Sequence, residues 1–203
     1  MYYLCINFQK NINLLVNFIG LNIVAIYSPY IYSIQYDDKD DNEFDWLFDQ
    51  WNDVCFVTQF MEDNQEYLKT DVWQRTPEPE DAARQVLDEA EALENLFDEL
   101  NENTTDGRKP DFDSHFKYLE GKYKYELQWP PMKSYGTIRP SLLRMYAIKM
   151  GNNVYLITGG GIKLSDTIQN SPGLKDYVIQ DIDRVRAFLR ENGIMDNEDM
   201  EQE

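Results

Sequence analysis

Apolar residues recur along this chain at the spacing of a buried helix face in four places. Phe44, Leu47, Phe48 and Trp51 stand at i, i+3, i+4 and i+7, and Val57, Phe60 and Met61 repeat the pattern in a second helix or a continuation ending near Lys69. Val86, Ala90, Leu93, Phe97 and Leu100 form a third stripe. Thr76 and Pro77 supply its cap and first-turn proline, Glu78, Glu80 and Asp81 suit the helix dipole, and Asn101 to Gly107 are loop formers that end it. Val178, Ile182, Val185 and Leu189 make the last stripe, stopped at Gly193.

Alternating order marks the strands. The run from Val24 to Tyr36 is rich in β-branched and aromatic residues, with Tyr30, Tyr32, Ile34 and Tyr36 in one register, and reads as the first strand. Pro29 requires either an edge position or a strand that begins after it. Residues 116–129 read as a strand with Tyr123, Tyr125 and Leu127 on one side and Lys122, Lys124 and Glu126 on the other, ended by Pro130 and Pro131. After a loop through Arg139 and Pro140, two β-rich runs flank Gly151, Asn152 and Asn153 and predict a hairpin. Gly159 to Gly161 then let the backbone bend or approach a neighbour closely. The predicted class is α+β, an antiparallel meander sheet preceded by helices and closed by a C-terminal helix. One domain spans residues 24–193, with a helical insertion at about 76–104 and an acidic tail, expected to be mobile, at 194–203.

Residues 1–23 differ from the rest: five Asn, no acid, and apolar residues in neither helical nor alternating order. They are a poor signal peptide, since Lys10 is the only cation and Asn17 and Asn22 interrupt the apolar run, and they are too short and polar for a membrane span. An upstream extension without a structural role is the third reading, and the fold is read from residue 24 onward. A membrane tether through residues 11–27 is the weakest of the functional alternatives.

The 203 residues are enough to bury a core without metal or disulfide staples, and 14% aromatics argues against disorder. Two cysteines, Cys5 and Cys55, make no disulfide framework or zinc knuckle, and a reducing cytoplasm is the expected location. The net charge of −18 argues against indiscriminate binding to nucleic acid or anionic membrane. The charge is uneven, however. Residues 37–107 carry 23 acids against 4 bases, whereas residues 108–163 carry 10 bases against 4 acids. A cationic stretch within an acidic protein marks either an anion-binding surface or a partner for the acidic helices.

No dinucleotide fingerprint, Walker loop, nucleophile elbow or zinc-protease motif is present, and His115 is the only histidine. It sits in a polar stretch and reads as a surface or capping residue. What remains is cationic: Lys122 and Lys124 on one strand, Arg144 on the next and Lys163 just after the last, in strands about 5 Å apart. Such a cluster can grip a phosphodiester, stabilise a pentacovalent transition state and supply a general acid or base. Outward strand positions are also where ordinary solvated lysines stand. Tyr123, Tyr125, Tyr146 and Tyr155 either stack on bases or pack across strands, and Arg139 joins Tyr123 and Tyr146 as a candidate nucleic-acid contact.

The order strand, two helices, three antiparallel strands and closing helix, with KYKYELQ and LRMYAIKMGNNVYLITGGGIKL, resembles the RelE/ParE superfamily of bacterial toxins, including its phage-derived HigB-like branch. The resemblance covers residues from about 24 to 69 and 108 to 192 in outline. Arg144, Gly160 and Lys163 occupy the places of a family arginine, glycine and basic residue, and Lys122 and Lys124 look like the family's paired lysines. The resemblance implies a toxin that cuts messenger RNA on the ribosome without metal or cofactor and is neutralised by a cognate antitoxin. Lys122 and Lys124 would be acid and base, and Arg144 and Lys163 would hold phosphate. The sequence departs from the family in three respects: Tyr177 is the nearest counterpart of a late catalytic tyrosine or histidine, the chain is acidic, and the 77–100 helix is additional. The scaffold also serves non-catalytic members that bind a protein such as gyrase, which is the alternative function here.

Overall fold

The computed structural model describes residues 20–69, 77–105, 109–119, 128–175 and 177–200. Among these residues six strands, β1 (Leu21–Tyr27), β2 (Ile31–Tyr36), β3 (Lys117–Tyr118), β4 (Pro131–Tyr135), β5 (Leu143–Gly151) and β6 (Val154–Ile162), form one open sheet in the order β1-β2-β6-β5-β4-β3. The helices are α1 (Glu43–Asn52), α2 (Val54–Asp63), the single turn α3 (Gln65–Leu68), α4 (Pro79–Thr105), α5 (Val178–Glu191) and the short α6 (Asn197–Met200). The class is α+β.

The meander β4-β5-β6 is antiparallel, as the short connections require. The pairing of β2 with β6 is parallel, Ile31–Ser33 lying beside Tyr155–Ile157. The helical run between them is long enough for a crossover, so the sheet is mixed rather than wholly antiparallel. Pro29 lies in a turn, and the expected single first strand is a hairpin of two, beginning at Leu21. Leu21 to Ile23 therefore pair in the sheet, and residues 21–27 of the 11–27 run considered as a tether are strand. The expected strand at 116–129 is strand only at Lys117–Tyr118 among its described residues. The strand paired with β5 comes later and opens on Pro131, a first-residue position where proline is tolerated.

Side-chain alternation sends each strand's residues to two helical layers. Ile31, Met132, Leu143, Met145, Ala147, Tyr155 and Ile157 pack against α1, α2 and α4 through Phe44, Leu47, Trp51, Val57, Met61, Val86, Leu93 and Phe97. On the other face Tyr32, Ile34, Ile148, Met150 and Leu156 meet Val185 and Leu189 of α5, and Tyr146 meets Val178 and Ile182. Asp53 divides α1 from α2: its amide closes the first helix on Asp49 and its side chain caps the second at Phe56. The helix α4 starts at Pro79 rather than Pro77 and runs to Thr105, through the asparagines expected to end it. Its stripe is buried against the main core, so it is part of the domain's packing. Ile194 and Met200 are buried beside α5, and Trp129 Nε1 donates to Met195 O at 3.1 Å, so residues 194–200 are packed against the fold.

Candidate functional site

The β4 residues Lys133 and Tyr135 point to the α5 side of the sheet. Their register partners on that side are Tyr146 for Lys133 and Arg144 for Tyr135, while Lys117 of β3 lies directly opposite Lys133. The result is a ring of cations about one phenol. The Arg144 guanidinium carbon is 4.2 Å from the Tyr135 ring centroid, Arg139 is at 5.5 Å, and the ammonium nitrogens of Lys133 and Lys117 are at 5.6 and 5.7 Å. Each contact lies within cation–π range. An open cleft of about 290 Å³ adjoins the ring, lined by Lys117, Tyr135, Arg139, Pro140, Ser141 and Arg144, none of them acidic.

The arginines are held in place by backbone oxygens. Arg144 Nη1 donates to Leu143 O at 2.6 Å, Ser141 O at 3.0 Å and Ser141 Oγ at 3.2 Å. Arg139 Nη1 donates to Gly136 O at 2.5 Å and Ile138 O at 3.1 Å. A guanidinium carries five donors in a rigid fork, so anchoring one nitrogen fixes the plane that the rest present. Burial draws the Arg144 guanidinium below its ordinary value, opposed by Tyr135, Tyr146 and Glu89, and an arginine stays charged throughout the neutral range. Like charges directly opposite in paired strands repel, and several cations around one ring add to that cost. A bound anion relieves both.

Of the residues singled out from the sequence, Arg139 and Arg144 meet in this cleft. Lys122, Lys124, Tyr123 and Tyr125 lie outside the described residues. The Lys163 amide donates to Leu142 O at 2.7 Å, which places it beside the start of β5, but its ammonium turns onto the carbonyls of Ser165 and Asp166 and does not line the cleft. Tyr146 is 1% exposed in the α5-side core, and Tyr155 is buried in a stack on Phe116 at 4.0 Å. Neither presents a face to a base; the ring beside the cleft is Tyr135. Tyr177, on the far side of β6, donates to Gly160 O and Gly173 O and braces the glycine segment. His115 caps a single 3-10 turn before β3, where burial lowers its pKa.

Lys117, Lys133 and Tyr135 were not foreseen. For Lys133 and Tyr135 the signal was the alternation in PMKSY, hidden because the Pro130–Pro131 pair reads as a strand terminator, whereas Lys117 stands within the run 116–129 already read as strand.

A second polar cluster lies where the parallel strands β2 and β6 end. Glu43 is buried at the first turn of α1 and pairs with Lys39, whose ammonium lies 4.4 Å from the Trp46 ring and 5.4 Å from Tyr36. Burial raises the Glu43 carboxyl despite Lys39, and burial pushes Asp181 up to about 6. Lys39 fills this cluster with an intramolecular partner.

Among the described residues no group of three or more His, Cys, Asp or Glu is placed to hold a metal ion, and no helix is long and apolar enough to cross a membrane. Comparison with protein-family models, with curated proteins and with solved structures gives no match.

Proposed function

We propose that this chain takes a nucleic-acid backbone in the Tyr135 cleft and acts as a metal-independent endoribonuclease of the RelE/ParE toxin type, with a cognate antitoxin and ribosome-bound messenger RNA as its partners. The observation that carries the reading is the convergence of Lys117, Lys133, Arg139 and Arg144 on one ring beside a cleft with no acid among its described lining residues. The helices that precede the antiparallel β4-β5-β6 meander and the helix that follows it accord with the reading, although the chain opens on a hairpin and β3 stands ahead of the meander.

In this reading the RNA 2′-hydroxyl attacks the adjacent phosphorus, the bond to the 5′-oxygen breaks, and a 2′,3′-cyclic phosphate and a 5′-hydroxyl result. A base takes the 2′ proton, an acid returns one to the leaving oxygen, and fixed cations offset the charge that builds on the phosphoryl oxygens. Arg144 and Arg139 hold the phosphate, with Lys117 and Lys133 completing the positive field. Lys122 and Lys124 take the acid and base roles that the resemblance implies.

The test is incubation of the purified protein with messenger RNA on ribosomes in excess chelator. Fragments ending in cyclic phosphate are expected, and Arg144→Ala should slow their formation by roughly 100-fold, the usual cost of one transition-state donor. Lys122→Ala with Lys124→Ala should abolish cutting and growth arrest together. RNA binding without fragments, or growth arrest that survives all three substitutions, would turn the assignment to the non-catalytic alternative, a scaffold that acts by binding a protein.

A further inference from the structure

We infer that Glu89, on the acidic helix α4, is a positioning residue of the cationic cleft, holding the β4–β5 segment that carries Arg139 and Arg144. The inference rests on the reading of the cleft as an RNA-backbone site. Glu89 is 0% exposed, whereas the other described acids of α4 are exposed. It lies next to Ala90 at the border of the helix's apolar stripe, and its carboxylate faces the connection between β4 and β5.

Four donors converge on it. Oε1 accepts from Gln85 Nε2 at 2.6 Å and Leu142 N at 3.1 Å, and Oε2 accepts from Ser141 Oγ at 2.8 Å and Leu143 N at 3.3 Å. Gln85 also donates to Pro140 O at 2.7 Å, so two side chains of α4 grip one turn of chain. An ionised carboxylate is acceptor-only with about four lone-pair sites, and these donors match that capacity. The hold reaches the cleft directly, because Ser141 Oγ, which donates to Glu89, accepts from Arg144 Nη1 at 3.2 Å.

The segment is shaped to admit this carboxylate. A Cβ on Gly136 would lie 1.9 Å from Glu89 Oε2, so only glycine lets the chain close over it. A buried carboxylate without partners is costly, and a glutamine in its place would turn an amide N–H toward donors. Glu89 is thus the described acid of α4 that builds the basic surface. Its charge also favours the cationic form of Arg144 beside it.

The experiment uses the full chain and a short fluorescein-labelled oligouridylate, with anisotropy titrations over a range of salt and amide spectra of Leu142 and Leu143. Glu89→Gln should weaken binding about tenfold and reduce the salt slope by about 0.7 for each phosphate that is no longer neutralised. It should also shift the Leu142 and Leu143 amide resonances and speed their exchange. Ser141→Ala should move both readouts in the same direction and serves if Glu89→Gln does not fold. Glu91→Gln, an exposed acid on the same helix, should move neither. Unaltered Leu142 and Leu143 amides in Glu89→Gln and Ser141→Ala overturn the inference. So does wild-type binding by Glu89→Gln when Arg144→Ala binds weakly, and the cleft reading then stands. Equal binding by wild type and Arg144→Ala removes the cleft reading, and the inference with it.

Discussion

Phe97→Ala asks whether the acidic helix is an appendage or part of the core. Phe97 is 0% exposed and meets three rings, Phe44 at 5.6 Å, Phe112 at 5.8 Å and Phe116 at 6.3 Å between centroids. Truncating a buried phenylalanine costs about 3–5 kcal/mol, the transfer free energy of the ring plus the cavity left behind. Edge or tilted ring pairs add about 0.5–1.5 kcal/mol each beyond area. The ring partners come from α1, the 3-10 turn at 112–114 and the segment before β3, so the cavity is walled by elements that cannot all close in. A loss in the upper part of the range, about 4–5 kcal/mol, is therefore expected. Against a total of about 5–15 kcal/mol this is a large share, and for a chain of this size it lowers Tm by about 8–20 °C. Urea unfolding followed by circular dichroism and by tryptophan fluorescence measures it, since Trp51 is buried in the same core. A loss below about 1.5 kcal/mol with an unchanged m-value would refute the integral role of α4, since a fully packed ring cannot be removed so cheaply.

Asp181 has its carboxyl pushed up to about 6 by burial, against the pull of Lys39 and Arg184, while in the unfolded chain it titrates near about 3.9. The folded state therefore favours the protonated form, and stability present at low pH is lost as pH rises from about 4 through about 6. Asp181→Asn should raise Tm relative to wild type near pH 7.5 and not near pH 4, in thermal scans; a difference that does not vary with pH would contradict this. Gly160→Ala places a Cβ 2.4 Å from the Arg144 carbonyl oxygen and 2.9 Å from Leu47 Cδ1. Because the first of these is backbone, calorimetry should show a loss toward the upper end of about 1–3 kcal/mol, and wild-type stability would contradict this close packing of β5 on β6.

Much of the helical framework was legible in the periodicity. The stripes Phe44–Trp51, Val86–Phe97 and Val178–Leu189 are the faces that became buried, because a 3.6-residue repeat records which side turns inward whatever it meets. The β5–β6 hairpin was legible for a different reason, Asn153 taking the positive φ of 63° that asparagine tolerates. Boundaries were harder. The strand β4 lay behind two prolines, and α4 runs through asparagines and threonines of low helix propensity to Thr105.

The sequence by itself determined that residues 108–163 would be basic within an acidic chain, and it singled out Arg139 and Arg144. Only the tertiary structure decided where that charge would converge, because register alone sets Tyr135 against Arg144 and Lys133 against Lys117. The same holds for Glu89: its spacing from Val86 and Leu93 sets it at the border of the apolar stripe, but its donors Ser141, Leu142 and Leu143 come from more than fifty residues away. Periodicity is a short-range record of burial, whereas a site is a long-range meeting of donors, acceptors and charges that folding alone brings together.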